Sequence, residues 1–401
     1  MSNVRERIVS YVDRHKAEWE EVALAIHAKP EVSNYEFFAS ETLSNKLKEN
    51  GFEVELPAAG HRTGFAASYK SQKPGPVICF LAEYDALAGL GHGCGHNLFG
   101  ASSCLAGCAL KSVIDELGGE VRVYGTPGEE GGENGSAKGS FVREGYFNDV
   151  DFALCVHPGT GPDCDLTGKT LGCVPIDVEF WGVSSHAAAQ PEKGINALDA
   201  LIMVYNASNA LRQQLTDDVR IHGIITNGGK APNSIPDYAA AKFYLRAASK
   251  DTLDEVYEKF ENIVKGAALQ TGAKGRMAPY QNRVENQVPT PSFDAVFEKN
   301  LNLFGREVKN HNIERSMGSS DVGNVMQVVP TIQPMIGISP VPIKGHSEDM
   351  VRASCSRMGL DEIALAAKVL CYTAADVIED PALARKIKED HAYQVAHQKE
   401  N

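Results

Sequence analysis

The chain has 401 residues, 43% apolar and 23% charged, which excludes a disordered, fibrous or membrane-embedded protein and points to a globular one. At roughly 150 residues per domain it is too long for one ordinary core, so two domains are expected. Its 39 basic residues face 52 acidic ones, a net charge of −13, so a phosphate-neutralising surface, and with it a nucleic-acid partner, is not expected.

Ile8, Val12, Trp19, Val22 and Ile26 recur at helical spacing until Pro30 stops the pattern. A second short helix follows. Three short apolar runs then predict buried strands, at Val77 to Ala82, Val121 to Tyr124 and Phe152 to Val156. Helical patterns at Asn97 to Leu117 and Ala137 to Tyr146 separate them, which is the βαβ alternation of a mostly parallel α/β sheet flanked by helices.

From about Val174 the pattern changes. A strand to Phe180 is followed by a helix over Asn196 to Leu215, then by strands at Val219 to Thr226 and Tyr238 to Leu245. A helix N-capped by Asp251 carries Leu253, Val256, Phe260, Ile263 and Val264 on one face, and a strand at Arg276 to Gln281 ends the set. This βαββαβ order predicts an inserted α+β domain over 174–288, with 1–173 and 289–401 forming one split domain. The last segment reads as a helix at Phe293 to Phe304, a strand at Thr331 to Ile338 and a helix at Asp361 to Val377.

The nine cysteines are odd in number and scattered, unlike a secreted disulfide framework, so a reducing, cytoplasmic location is expected. No uninterrupted apolar run reaches about 18 residues, and no membrane partner is expected.

In an open parallel sheet, ligands bind beyond the carboxyl ends of the strands. The first apolar run ends in Glu83-Tyr84-Asp85-Ala86-Leu87, followed by Gly91-His92-Gly93-Cys94-Gly95-His96-Asn97. The second ends in Gly128-Glu129-Glu130-Gly131 and the third in Cys155-Val156-His157-Pro158. Three consecutive strand ends thus bring a thiol, imidazoles and paired carboxylates to one sheet edge. Thiolate, imidazole and carboxylate are donors for a borderline transition metal, and glycines let the backbone bend close. A lone Cys or His is more often core or loop material, and a Glu pair more often a solvated turn. Packed between glycines at strand ends, they point to chemistry instead, with one glutamate free as a general base. His346, in Gly345-His346-Ser347-Glu348, is a plausible closing ligand.

Tyr84-Asp85-Ala86-Leu87 with Gly93-Cys94-Gly95-His96-Asn97, the Glu129-Glu130 pair, His157, Ser185-His186-Ala187-Ala188 and Gly345-His346 together resemble the M20 family of metallopeptidases and amidohydrolases. The cysteine-containing turn is similar to its aminoacylase branch, and Ser319-Ser320-Asp321-Val322-Gly323 to its aminobenzoyl-glutamate hydrolases and dipeptidases. The resemblance covers nearly the whole chain. It implies a catalytic α/β domain interrupted by a ferredoxin-like lid that commonly dimerises, two divalent metal ions (zinc or manganese, with cobalt possible), and a small-molecule substrate carrying a carboxylate beside the scissile amide. It makes Cys94, His96, Glu130, His157 and His346 metal ligands, Glu129 the general base, and Asp85 a carboxylate that orients the site. It makes His186 an oxyanion donor that reaches a partner's site, and Asn233 and Arg246 the grip on the substrate carboxylate. Many members have histidine where Glu83 stands, a departure from the pattern.

A cysteine hydrolase built on Cys94 leaves Glu129, Glu130, His157 and His346 without a role. The sequence has no G-x-S-x-G, and the glycines around 89–95 do not fit G-x-G-x-x-G. A degenerate member that only binds a ligand or a partner subunit is the remaining alternative.

Overall fold

A computed structural model describes residues 4–310 and 318–398. The chain divides into two compact units, one of Met1–Lys169, Gln287–Ser316 and Ser320–Asn401, the other of Thr170–Asn286 and Met317–Ser319.

The first unit is built on a six-stranded sheet in the order Glu53–Glu55, Phe65–Lys70, Glu120–Gly125, Val77–Ala82, Phe152–Leu154, Thr331–Ile332. The last four strands are parallel and the first two antiparallel additions at one edge. Period-two alternation splits the side chains between two layers. Ile78, Phe80 and Ala82 join the core with helices Val4–Ala28, His96–Leu117 and Arg357–Glu379, whereas Cys79 and Leu81 join Phe141, Val322 and Val325 on the other face. Helix His96–Leu117 is long and apolar enough to cross a membrane by composition. Here it is a core helix, packed between the sheet and the helices Val4–Ala28 and Arg357–Glu379.

Two expected strands are interrupted. The run from Phe152 ends at Leu154, and His157–Gly159 begins a separate strand of a small sheet ordered Val308–Asn310, Cys164–Asp165, Met335–Gly337, His157–Gly159. The expected strand from Thr331 to Ile338 likewise divides into Thr331–Ile332 in the large sheet and Met335–Gly337 in the small one. Pro334, which lies between the two pieces and has no N–H, takes the His157 N–H on its carbonyl at 2.9 Å.

The second unit is the βαββαβ plan, with strands ordered Lys274–Pro279, Gly172–Trp181, Tyr238–Ala247, Arg220–Asn227, all antiparallel. Val174, Ile176, Val178 and Phe180, with Ala241, Phe243 and Leu245, face helices Ala197–Leu211 and Lys250–Thr271. Lys242, Tyr244 and Arg246 alternate with them on the opposite face. The N-cap of Lys250–Thr271 is Ser249, whose hydroxyl accepts the Thr252 N–H, and not the expected Asp251, which lies in the first turn. A hydroxyl in that position contributes about 1 kcal/mol, and a first-turn aspartate adds favourable charge.

Candidate active site

The carboxyl ends of the parallel strands carry the expected groups. Gly95, the N-cap of helix His96–Leu117, has φ 79°, and a Cβ there would lie 2.9 Å from Pro158. Glycine at this point folds the Cys94 turn against the strand that carries His157. Asn97 ties the start of the helix to the Ala23 and Ser354 carbonyls at 3.2 and 2.9 Å. His346 adopts φ 51°, a costly conformation for a residue with a side chain, and its N–H donates to the Gly93 carbonyl at 3.0 Å. Two distant segments of chain are thereby joined beside Cys94.

Donor atoms of Cys94, His96 and His157 lie within 4.8 Å of one another, as do those of Cys94, Glu130 and His346. The two groups hold all five expected ligands and share Cys94. Cys94 Sγ is 3.4 Å from His157 Nε2, and His346 Nε2 is 3.6 Å from Glu130 Oε2. Each inner imidazole is oriented through its other nitrogen. Asp85 Oδ1 lies 2.9 Å from His96 Nδ1, and the Pro158 carbonyl lies 2.9 Å from His157 Nδ1, which turns both Nε2 atoms toward Cys94. Asp85 also accepts the Glu130 N–H at 2.9 Å on its other oxygen. One carboxylate thus sets the imidazole of one donor group and the backbone of another.

His96 Nε2 and Glu130 Oε1 are buried without a hydrogen-bond partner among the described residues. His96 Nε2 faces the Glu83 carboxylate at 3.2 Å, and buried donor atoms without a hydrogen bond, in a set of one thiol, three imidazoles and a carboxylate, fit divalent metal ions. Glu129 belongs to a third group with Glu83 and His96. Burial, then the carboxylates of Glu83 and Glu130, push Glu129 well above the usual carboxylate range, as suits a group that accepts and returns a proton. Burial likewise pulls His157 down to about 4 and keeps it neutral, the form that ligates metal. Among the described residues, His92 is buried, its nitrogens have no hydrogen-bond partner, and it joins none of the three groups.

In the second unit, His186 is exposed and its Nδ1 accepts the N–H groups of Ala188 and Ala189 at 3.2 and 3.1 Å, which leaves the proton on Nε2. The Ala187 N–H donates to the Asn233 carbonyl at 3.0 Å, so His186 and Asn233 share one corner. Arg246 stands elsewhere. It donates to Ser319 Oγ at 2.9 Å and lies over the Tyr244 ring at 5.4 Å. Asn233 lies just before the Tyr238–Ala247 strand and Arg246 near its far end, and Tyr238 and Arg246 are on the order of 27 Å apart at about 3.4 Å per residue. Asn233 and His186 thus stand toward the Tyr238 end of that strand and Arg246 toward the other.

Residues 172–272 match the peptidase dimerisation domain. The Xaa-Arg dipeptidase of Mus musculus is 32% identical over 406 residues, covering 96% of this chain and 92% of that protein. The chain belongs to the M20 family of peptidases and amidohydrolases. One component of the p-aminobenzoyl-glutamate hydrolase of Escherichia coli K12 is 35% identical over 291 residues, covering 68% of this M20 chain and 59% of that component. A crystal structure from Bacillus subtilis, described as a dinuclear metal-binding peptidase from the M20 family, shares the fold with a TM-score of 0.63 at 19% identity, over 92% of this chain and 99% of that one.

Reading strand ends in this M20 chain singled out Cys94, His96, Glu129, Glu130 and His157, with His346 as a later closing candidate, but gave no part to Lys138, buried between Glu83 and Asp321, or to Asp321 beyond its place in the Ser319–Gly323 motif. A lysine in a helical pattern reads as a solvent-facing residue, and its partner Asp321 lies 183 positions away.

Proposed function

We propose that this M20 chain hydrolyses the amide bond of a small carboxylate-bearing substrate (an N-acyl amino acid, an aminobenzoyl-glutamate or a dipeptide) with two divalent ions and a glutamate base. The observation that carries this reading is the convergence of Cys94, His96, Glu130, His157 and His346 in two donor groups sharing Cys94. A thiolate with imidazoles favours zinc, with manganese and cobalt as the other candidates. Bound there, the ions would polarise the scissile carbonyl and make the attacking water more acidic. Asp85 holds His96 and the Glu130 backbone in register. Glu129 takes the proton of the attacking water and delivers it to the leaving nitrogen. The Nε2–H of His186 is free to donate to the developing oxyanion, a contribution on the order of 3 kcal/mol. Arg246 offers its planar fork to the substrate carboxylate.

Because His186 and Asn233 lie about a strand length from Arg246, one small substrate cannot meet all three from one chain. We assign the active form as a homodimer in which Arg246 of one protomer works with the partner subunit's His186 and Asn233. The lid sheet offers a suitable edge. Arg220–Asn227 is an outer strand, with Ile224 and Ile225 65% and 45% exposed, an unpaired row of backbone groups that a second copy would cover. All nine cysteines are unpaired, which supports the cytoplasm as the working compartment.

Metal analysis of the purified protein, with an assay panel of N-acyl amino acids, aminobenzoyl-glutamate and dipeptides under zinc, manganese and cobalt, tests this reading. Hydrolysis that a chelator abolishes and added metal restores is expected. Undiminished hydrolysis by metal-free protein would overturn it.

A further inference from the structure

Lys138 is the one lysine or arginine buried among the described residues. It is the second residue of helix Ala137–Arg143, and its Nζ lies 2.6 Å from Asp321 Oδ1 and 2.7 Å from Glu83 Oε1. Its backbone N–H donates to Asp321 Oδ2 at 3.1 Å, so both oxygens of Asp321 are engaged. Glu83, directly after the Val77–Ala82 strand, is itself fully buried, and its Oε2 faces His96 Nε2 at 3.2 Å. A continuous row therefore runs from Asp321 through Lys138 and Glu83 to His96, a ligand in the reading above.

Bringing an ammonium and two carboxylates out of water costs several kcal/mol per ion, and apolar residues of similar volume often pack such a place at no loss of stability. The arrangement therefore asks for a purpose beyond stability. Glu83 supplies one, because a carboxylate is a ready ligand for a divalent ion. Its donor atom lies within 4.8 Å of those of His96 and Glu129. Left free, Glu83 would compete for the position beside His96 and crowd Glu129 with a second negative charge. Burial alone pulls the Lys138 ammonium down, but Asp321, Glu83 and Glu129 outweigh it and hold it charged.

We propose that Lys138 is a positioning residue: anchored by Asp321, its ammonium holds Glu83 beside the metal site rather than in it, which leaves Glu129 as the free carboxylate there. The proposal rests on the metal-dependent reading above, and cobalt-loaded protein separates the two. Wild-type protein that takes up no Co²⁺ would contradict the metal reading before any variant is made. With Co²⁺ bound, the visible absorption reports the number of ligands and weakens as it rises. Glu83→Gln is expected to leave that spectrum and the metal content unchanged, and a changed spectrum would show that Glu83 is already a ligand and overturn the proposal. Lys138→Met with Asp321→Asn removes one charge of each sign and releases Glu83. We expect a weakened spectrum and a kcat lower by about tenfold or more, with KM within about threefold. Adding Glu83→Gln to that pair is expected to restore the spectrum. A folded Lys138→Met/Asp321→Asn protein with wild-type spectrum and kcat would overturn the proposal. If that pair does not fold, Glu83→Gln decides the matter together with Lys138→Arg, which keeps the charge and must keep the spectrum.

Discussion

At the strand ends of the first unit, the polar groups hold one another. Asp85 grips both His96 and the Glu130 backbone, Lys138 joins Glu83 to Asp321, and Glu83, Asp85, His96, Lys138 and Asp321 are all buried. In the second unit the candidate residues are held by small local contacts instead. His186 accepts backbone N–H groups, Asn233 is exposed, and Arg246 meets one serine hydroxyl and a tyrosine ring. The contrast separates two jobs. Groups that handle protons and metal need a geometry complete before substrate arrives. Groups that grip a substrate must stay open until it does, and the candidates for that part stand toward opposite ends of one sheet, as the proposed pairing of protomers requires.

The sharpest way to break this contrast is to remove the proton carrier. Glu129→Gln is expected to lower kcat by about a thousandfold while metal content and KM stay near wild type. Normal turnover in that variant would remove Glu129 from the role of base.

The division of labour across protomers is next in size. His186→Ala should cost about a hundredfold in kcat. Mixing it with inactive Glu129→Gln protein under conditions that exchange protomers should restore about a quarter of wild-type activity, since half the dimers are mixed and each carries one intact site. No recovery despite demonstrated exchange would place His186 in its own protomer's site. Arg246→Ala is a milder probe of the same layout. Losing hydrogen bonds to a charged group should raise KM by about tenfold or more and leave kcat nearly intact, and steady-state kinetics across substrate concentration distinguish that from a loss of kcat.

How much of this was legible in the sequence follows from how far apart the partners lie. Asp85, Glu129, Glu130 and His157 sit just beyond the apolar runs that form the parallel strands, and Cys94 and His96 in the glycine-rich turn that follows the first, so pattern and topology together expose them, whereas His346, nine residues past Gly337, is reached only through its own short motif. The inserted unit was legible for the same reason: its elements are long enough to show their period, as with Val174, Ile176, Val178 and Phe180 facing its helices. The small sheet was not, because strands such as Cys164–Asp165 and Met335–Gly337 have two or three residues and no period to read. Ser249 and Asp251 are both able to cap a helix, and only the backbone decides between them. Glu83, His96 and Asp321 each stand in a recognisable motif, but nothing local joins them, and Lys138, which does, had no signal of its own.

A smaller effect tests whether burial of a carboxylate in the first unit always serves the site. Asp294 is buried at the start of helix Pro291–Leu303, its Oδ1 accepting the Thr167 hydroxyl at 2.6 Å and the Thr167 N–H at 3.2 Å. Burial, only partly offset by those bonds, pushes its carboxyl up to about 7. With an unfolded value of about 3.9, the folded chain binds more protons than the unfolded one between the two values. This group's contribution is therefore most favourable below about pH 4, declines as pH rises, and is constant above about pH 7. In metal-free protein, where the active site cannot contribute through metal release, urea midpoints at pH 5 and pH 8 should differ less for Asp294→Asn than for wild type. An unchanged difference would mean that Asp294 is already ionised at pH 5. The two Thr167 bonds would then outweigh burial, and this carboxylate would resemble Asp85, held as an anion by the donors around it.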